Sequence, residues 1–290
     1  MSILGNGVAT IDEERRRAVA SSIRASRGGP ERAFGDLVVE LVDPTDDRGV
    51  PGAGGLVEAH MHGSGVRFGP DGLPAAGSIG VLVDDALGFA IIGASTGHLW
   101  SVSLEVSIDF LHPLPSAPLR LLATGRPGNE VAGYGHGAVT TSDGTVVAHA
   151  RQHGRYVPAP HSFPELPASS AERFPDTIED LLATEVHHVD GAVVLRLADA
   201  GPWLNGLGVL HGGVAICAAE AAAAHATLDA ATTMQTTSMT LAFTRPMSGE
   251  HDLEFRARTL HGGRTARVIE VVGYAGDRPS TFARIIRQAL

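Results

Sequence analysis

Residues 211–221 read His211-Gly212-Gly213-Val214-Ala215-Ile216-Cys217-Ala218-Ala219-Glu220-Ala221, and residues 76–86 read Ala76-Gly77-Ser78-Ile79-Gly80-Val81-Leu82-Val83-Asp84-Asp85-Ala86. Laid over one another at an offset of 135, both pass from a glycine into an apolar run and reach an acid at the same place, Asp85 against Glu220. Other landmarks keep nearly the same spacing. Asp71-Gly72-Leu73 falls on Asn205-Gly206-Leu207 at 134, Gly128 on Gly262 at 134, Pro113 on Pro246 at 133, and Ala150-Arg151 on Ala283-Arg284 at 133. Self-similarity at a long fixed period marks a duplicated unit. The chain then divides into an N-terminal helical segment (1–34), a first unit (35–157), a Pro-rich linker (158–177) and a second unit (178–290).

Each unit has the same order of elements. A short strand (37–41; 193–197) precedes a Gly-rich loop, one helix and several strands. Val102, Leu104, Val106, Ile108 and Phe110 alternate with polar residues, as do Leu253, Phe255 and Ala257, which is the period of a half-buried strand. Ser142-Asp143-Gly144-Thr145 and Ala275-Gly276-Asp277-Arg278 read as hairpin turns. The helices, expected over 78–92 and 213–228, are apolar on all sides, which requires burial all round. The expected fold is α+β: in each half an antiparallel sheet wraps one long buried helix, and the halves pair through their sheets. Residues 11–26 read as a helix packed on the surface, with Ile11, Ala18, Val19 and Ile23 on one side.

Composition narrows the chemistry. The chain has 290 residues, 43% hydrophobic and 19% charged, enough for a large core. A net charge of −10 argues against neutralising nucleic-acid phosphates. All 22 basic residues are Arg, so a Schiff-base lysine and a phosphate-loop lysine are excluded. One cysteine, Cys217, gives no disulfide framework, and it reads as core packing. No apolar run of about 18 residues lacks a charge, and the N-terminal charges follow a short apolar stretch instead of preceding one. A soluble cytoplasmic protein is expected, without membrane or nucleic-acid partners. His60-Met61-His62 lacks a third ligand at metal spacing, so neither a metal nor a cofactor is expected. His225 reads as structural and His187-His188 as a solvated loop.

An acid inside an apolar helix is costly unless it is paired or used. Asp85 and Glu220 recur at one repeat position, whereas Asp84, whose counterpart at this offset is Ala219, reads as a carboxylate capping a nearby amide. Gly77 and Gly212 open their helices. Each offers backbone N–H groups at the positive end of the dipole, which suits a carbonyl oxygen that becomes negative in acyl transfer. Gly212 and Glu220 are eight residues apart, about 12 Å along a helix. One helix therefore cannot bring both to one carbonyl, but two antiparallel helices can. Two composite sites follow. Asn205, His211 and Gly212 face Asp85 in one; Asp71 and Gly77 face Glu220 in the other. Asn205 can donate to an oxyanion, whereas Asp71 would repel it, so the Asp85 site is expected to work and the Glu220 site to be degenerate. Arg126, Arg264 and Arg267 could grip phosphates.

These residues resemble the hotdog-fold acyl-CoA thioesterases, of the phenylacetyl-CoA-thioesterase-like branch. The likeness rests on residues 205–213 with the His211-Gly212-Gly213 step, on Glu220, and on 236–246. It implies a double hotdog that hydrolyses an acyl-CoA to free acid and CoA. It implies Asp85 and Glu220 as general base or nucleophile, and Gly212 and Gly77 as oxyanion donors. Asn205 and His211 would stand in the loop before the helix, with Gly213, Arg126 and Arg264 among the substrate contacts. Ser103 and Thr236 become the strand hydroxyls that assist the acids. Such proteins form oligomers, so a dimer of double hotdogs is expected. The first half departs from the pattern, with no counterpart of His211 or Asn205. A non-catalytic acyl-CoA-binding protein and an acyl-CoA hydratase or dehydratase on the same fold stay open.

Overall fold

In the computed structural model, residues 17–21, 23, 28–42, 55–95, 97, 100–158 and 174–290 are described. The first unit supplies β1 (Val38–Leu41), β2 (Gly55–Met61), β3 (Trp100–Phe110), β4 (Leu119–Pro127), β5 (Ala132–Thr141) and β6 (Val146–Val157). The second supplies β7 (Thr184–Val189), β8 (Ala192–Leu197), β9 (Met234–Phe243), β10 (Leu253–Gly262), β11 (Ala266–Ala275) and β12 (Arg278–Ala289). They join edge to edge in the order β1-β2-β4-β5-β6-β3-β9-β12-β11-β10-β8-β7. Every pairing is antiparallel.

The two halves meet at β3 and β9, where Ser107 lies opposite Thr240 and their hydroxyls are 3.1 Å apart. These two residues are repeat mates at an offset of 133, so the local two-fold axis passes between them. A bulge recurs on each side, between Ser103 and Glu105 against β6 and between Ile286 and Arg287 against β9. The duplication thus keeps even the irregularities of the sheet.

The first central helix spans Gly80–Ala94 after a 3-10 turn at Ala76–Ile79, and the second spans Gly212–His225. Each is buried along nearly its whole length. A Cβ at Gly125 would lie 1.8 Å from Ala90 O, and one at Gly55 2.3 Å from the same oxygen, so glycine lets the first helix sit close on its sheet. The N-terminal halves of the helices cross antiparallel: Gly80 faces Gly213 and Ile216, while Gly213 faces Val81. These contacts repeat when Gly77 is matched to Gly213 and Val81 to Cys217. The helices are therefore related at an offset of 136. This corrects the expected pairing: the structural mate of Glu220 is Asp84, not Asp85.

Other expectations also change. Two strands that the sequence pattern did not reveal are present. They are β2 and the exposed edge strand β7, which carries His187 and His188 instead of a loop. The first α-helical turns begin at Gly80, two residues later than expected. Of the helix expected over 11–26, residues 17–21 and 23 are helical and the rest lies outside the described residues. Val19 and Ile23, on the side expected to pack, are buried in the main core, while Arg17 and Ser21 are exposed. A short helix at Gly29–Ala33 follows and bridges the halves. A Cβ at its Gly29 would meet Pro202 O at 2.4 Å, Phe34 packs edge-on against Trp203, and the Ala33 carbonyl accepts from Arg67. Of the linker, 159–173 lie outside the described residues; at its end, Asp176 O accepts from Phe68 N at 2.9 Å. The stretch Ala76–Ala94 is long and apolar enough to cross a membrane by composition, and here it forms the core.

Candidate active site

The crossing of the two helices brings acids of each helix against the N-terminus of the other. Asp84 lies in the second turn of the first helix and points at the start of the second. A Cβ on Gly212 would stand 2.6 Å from Asp84 Oδ2, so only glycine fits beside this carboxylate. Asp84 Oδ2 accepts from Gly213 N–H at 3.1 Å, and Asp84 Oδ1 accepts from Ser103 Oγ at 2.6 Å. Ser103 Oγ in turn accepts from Gln152 Nε2 at 2.9 Å. Protons along this chain point from Gln152 through Ser103 to Asp84. Gln152 is 1% exposed, and its Oε1 meets no protein donor. A buried acceptor without a partner is rare and calls for a ligand or water.

As the first residue of its helix, Gly212 has no intrahelical acceptor for its N–H, and among the described residues no loop carbonyl meets it. Asn205 Oδ1 accepts from Leu207 N at 2.9 Å and from Val209 N at 3.5 Å, which leaves Nδ2 as the group available to the cavity. Asp84, Ser103, Gln152, Asn205 and Gly212 all line one cavity of about 520 Å³. Its apolar part includes Phe89, Ile92, Trp100, Leu210 and Met247.

His211 caps the second helix and lies between carboxylates. Its Nε2 is 3.1 Å from Asp85 Oδ1 and 3.8 Å from Glu31 Oε1, and its Nδ1 is 3.4 Å from Asp84 Oδ2. Burial acts to lower the imidazole pKa, but Asp85, Asp84 and Glu31 together outweigh it and push the value up to about 10. Gly213 N–H also points at Nδ1, at 3.0 Å, which fits a neutral ring. We favour the imidazolium: three carboxylates surround the ring, and Gly213 N–H keeps Asp84 as its acceptor when Nδ1 is protonated. Burial raises the Asp84 pKa, and His211 and the Ser103 hydrogen bond oppose the rise. Burial likewise, with the charge of Asp85, pushes Glu31 up to about 7. Glu31, Asp85 and His211 thus cluster within 4.8 Å, with the ring Nε2 hydrogen-bonded to Asp85 and at ion-pair distance from Glu31.

The second composite site repeats the frame. Glu220, 3% exposed, accepts from Thr236 Oγ1 at 2.6 Å through Oε1 and from Gly77 N–H at 3.4 Å through Oε2. Gly77 is thus the counterpart of Gly213 and holds the acid, so its N–H is not left for a substrate. The same holds for Gly213, expected to touch substrate. Arg287 Nη2 donates to Asp71 Oδ2 at 2.5 Å, and Arg287 Nη1 is 3.6 Å from Glu220 Oε1. The cavity here is about 150 Å³.

The expected residues Asp85, Asn205, His211 and Gly212 do gather at one cavity, and Glu220 at the other. The Asp85 carboxylate is bonded to His211, whereas Asp84 is held by Ser103 and Gly213 N–H. Arg126 and Arg264 line neither cavity, because β4 and the β10–β11 turn lie strands away from the central pair. Arg267 is tied to Asp229 at 2.5 Å. Arg155 and Arg245 are the arginines at the large cavity. Cys217 is core and His225 bonds Glu179 at 3.0 Å, both as expected. Gln152 and Arg287 escaped the sequence reading, although each is the one strongly polar side chain on the inward face of its strand near the C-terminal end. Glu31 carried no sequence signal.

Residues 200–288 match the family model described as acyl-CoA thioesterase N-terminal domain. The match is to acyl-CoA thioesterases at large and does not single out the phenylacetyl-CoA branch. Three solved structures share the fold of nearly the whole chain. A TesB protein of Mycobacterium avium is 11% identical over 80% of this chain and 92% of its own, with a TM-score of 0.54. An acyl-CoA thioesterase II, TesB2, from Mycobacterium marinum is 10% identical over 90% and 96%, at 0.53. The 12:0-ACP thioesterase of Umbellularia californica is 9% identical over 81% and 94%, at 0.56. No curated protein matches the sequence. Residues 200–288 are thus similar to an acyl-CoA thioesterase domain, and the fold of the whole is that of a double hotdog.

Proposed function

We propose that this double hotdog thioesterase hydrolyses acyl-CoA at its Asp84 site, with Asp84 as general base on water. The observation that carries the reading is the Gln152–Ser103–Asp84 chain facing an unpartnered Gly212 N–H across one cavity. A thioester carbonyl seated on Gly212 N–H gains a donor at the positive end of a helix dipole, where the oxyanion will form. A water between Asp84 and the orphaned Gln152 Oε1 has an acceptor for each of its protons. Asp84 takes one proton as the water oxygen bonds the carbonyl carbon. The tetrahedral intermediate then collapses, the C–S bond breaks, and the Asp84 proton goes to the departing thiolate. Acid and CoA result, with no other reactant. Burial supports this role, since a carboxylate with a raised pKa is a stronger base near neutral pH. Asn205 Nδ2 serves the same carbonyl, and Arg155 and Arg245 stand where the phosphates of CoA would enter.

The test is free-thiol release from short, branched, long and aromatic acyl-CoAs by wild type, Asp84→Asn, Asp85→Asn and Glu220→Gln. Release lost with Asp84→Asn and kept with Glu220→Gln is expected. Loss with Glu220→Gln alone would move the chemistry to the other site. No release from any acyl-CoA, with binding retained, would turn the reading to a non-catalytic acyl-CoA-binding protein.

A further inference from the structure

Glu31 belongs to neither hotdog unit. It lies on the short helix Gly29–Ala33, yet it is 5% exposed and lines the large cavity. Its placement is built rather than incidental. Glu31 Oε2 accepts from Gly28 N–H at 2.9 Å, so the side chain is turned back on its own helix start. That helix is wedged between Pro202 and Trp203 of the second unit and Arg67 of the first. Trp203 O in turn accepts from His211 N–H at 2.9 Å. Glu31 and His211 are thus fixed on one scaffold, with Oε1 and Nε2 3.8 Å apart.

The charges around the ring come from two elements. Asp84 and Asp85 face it from the first central helix, Glu31 from the N-terminal helix, and the ring itself caps the second helix. A buried carboxylate beside another is unfavourable unless a cation lies between them. The imidazolium is the cation within ion-pair distance of all three.

Resting on the proposed thioesterase reading, we propose that Glu31 is a positioning residue: it holds the His211 ring charged and in place, so that the ring can hold the Asp84 carboxylate at the thioester. It touches neither water nor carbonyl in this role. Its effect passes through His211 to the base. Without the Glu31 charge, the ring releases its proton at lower pH, and Asp84 loses the counterion that holds its carboxylate in place.

The experiment compares wild type with Glu31→Gln, which keeps an oxygen for Gly28 N–H and removes the charge. The titration of His211 is followed by ¹⁵N-detected imidazole NMR, and kcat and KM are measured from pH 6 to 10. The expected result is a His211 titration that begins about one pH unit lower in the variant. The alkaline limb of kcat moves with it, a loss of about tenfold at the top of the range, and KM stays near wild type. Asp85→Asn should move the same titration further. An unchanged His211 titration in a folded variant overturns the proposal. So does a uniform loss at every pH, which would mark mere packing. If Glu31→Gln does not fold, Glu31→Asp keeps the charge but draws it back by a methylene, and a smaller shift of the same sign is expected. Wild type without thiol release would sink the thioesterase reading alone, because the NMR titration still decides whether Glu31 controls the ring.

Discussion

The two composite sites began as copies and differ at several positions. Asp84 and Glu220 each accept from a strand hydroxyl and from the amide of the second glycine position. The strand register then separates them. Gln152, opposite Val106, has Ile285, opposite Met239, as its mate; Gly154, opposite Ser103, has Arg287, opposite Thr236. The helix starts differ as well, with His211 where the first half has Ala75. One site keeps a glutamine with a spare acceptor, a glycine that leaves room, and a cavity of about 520 Å³. The other has an aliphatic side chain, an arginine ion-paired with the acid, and about 150 Å³. The acid and its donors thus belong to the scaffold. Space and a spare acceptor surround one carboxylate, and an arginine the other.

The widest separation is expected from the acids themselves. Asp84→Asn should lower kcat by about 10²–10⁴-fold, the range for loss of a general base, while Glu220→Gln leaves kcat within about threefold. Asp84→Asn should not lower the melting temperature, because burial disfavours the native carboxylate and the amide removes that cost. A stable, inactive Asp84→Asn beside an active Glu220→Gln is the signature; equal losses would erase the distinction. In the second site the large effect is on stability. Arg287→Met leaves Glu220 and Asp71 without their cation and should cost about 3–5 kcal/mol by urea denaturation, with kcat per folded molecule unchanged. Gln152→Ala should lower kcat by about 10–10²-fold with little change in KM, because the water holder acts after substrate has bound. A larger effect on KM than on kcat would place Gln152 in binding.

Most of the fold was legible because a duplication writes each element twice. The all-round apolar helices, the alternating strands and the two hairpin turns each had a partner for comparison. The site was legible to the level of its loops and helix starts, where Asn205, His211 and Gly212 stand together in sequence. The offset misled over the acid. The sequence aligns at 135, but packing relates the helices at 136, and that one residue matches Glu220 to Asp85 instead of Asp84. The contact of Gly77 with Cys217, matched by that of Gly213 with Val81, reveals the slip. Gln152 was hidden because its partner Ser103 is 49 residues away and the bulge decides which inward residue reaches it. Glu31 was hidden for a different reason, since it enters from a segment that has no copy.

The charged ring also separates the sites in their response to pH. His211 has a native pKa raised from 6.5 to about 10, so its pairing stabilises the fold fully below pH 6.5 and is lost as pH rises through 10. Glu31, raised from 4.5 to about 7, binds its proton more tightly when folded, so its contribution also declines as pH rises through 7. Both slopes have the same sign. The melting temperature should fall steadily between pH 6 and 10, and His211→Gln should flatten the part above 7. A rise over that range would mean that the ring is neutral in the native protein.

The smallest contrast is between the loop residues Asn205 and Asp71, repeat mates on the two sites. Asn205 fixes the loop Gly206–Leu210 through Leu207 N and Val209 N, and so sets the approach to Gly212. Asn205→Ala removes that hold and the Nδ2 donor together, and a drop of about tenfold in kcat/KM is expected for one lost hydrogen bond to the developing charge. Asp71 instead accepts from Arg287 and from Leu73 N. Asp71→Ala leaves Arg287 paired with Glu220, so kcat/KM should hold within about twofold while the melting temperature falls slightly. Steady-state assays of the two variants under one condition decide the matter. A loss for Asp71→Ala as large as that for Asn205→Ala would mean that the arginine-filled site contributes to turnover, and the asymmetry between the halves would be one of degree.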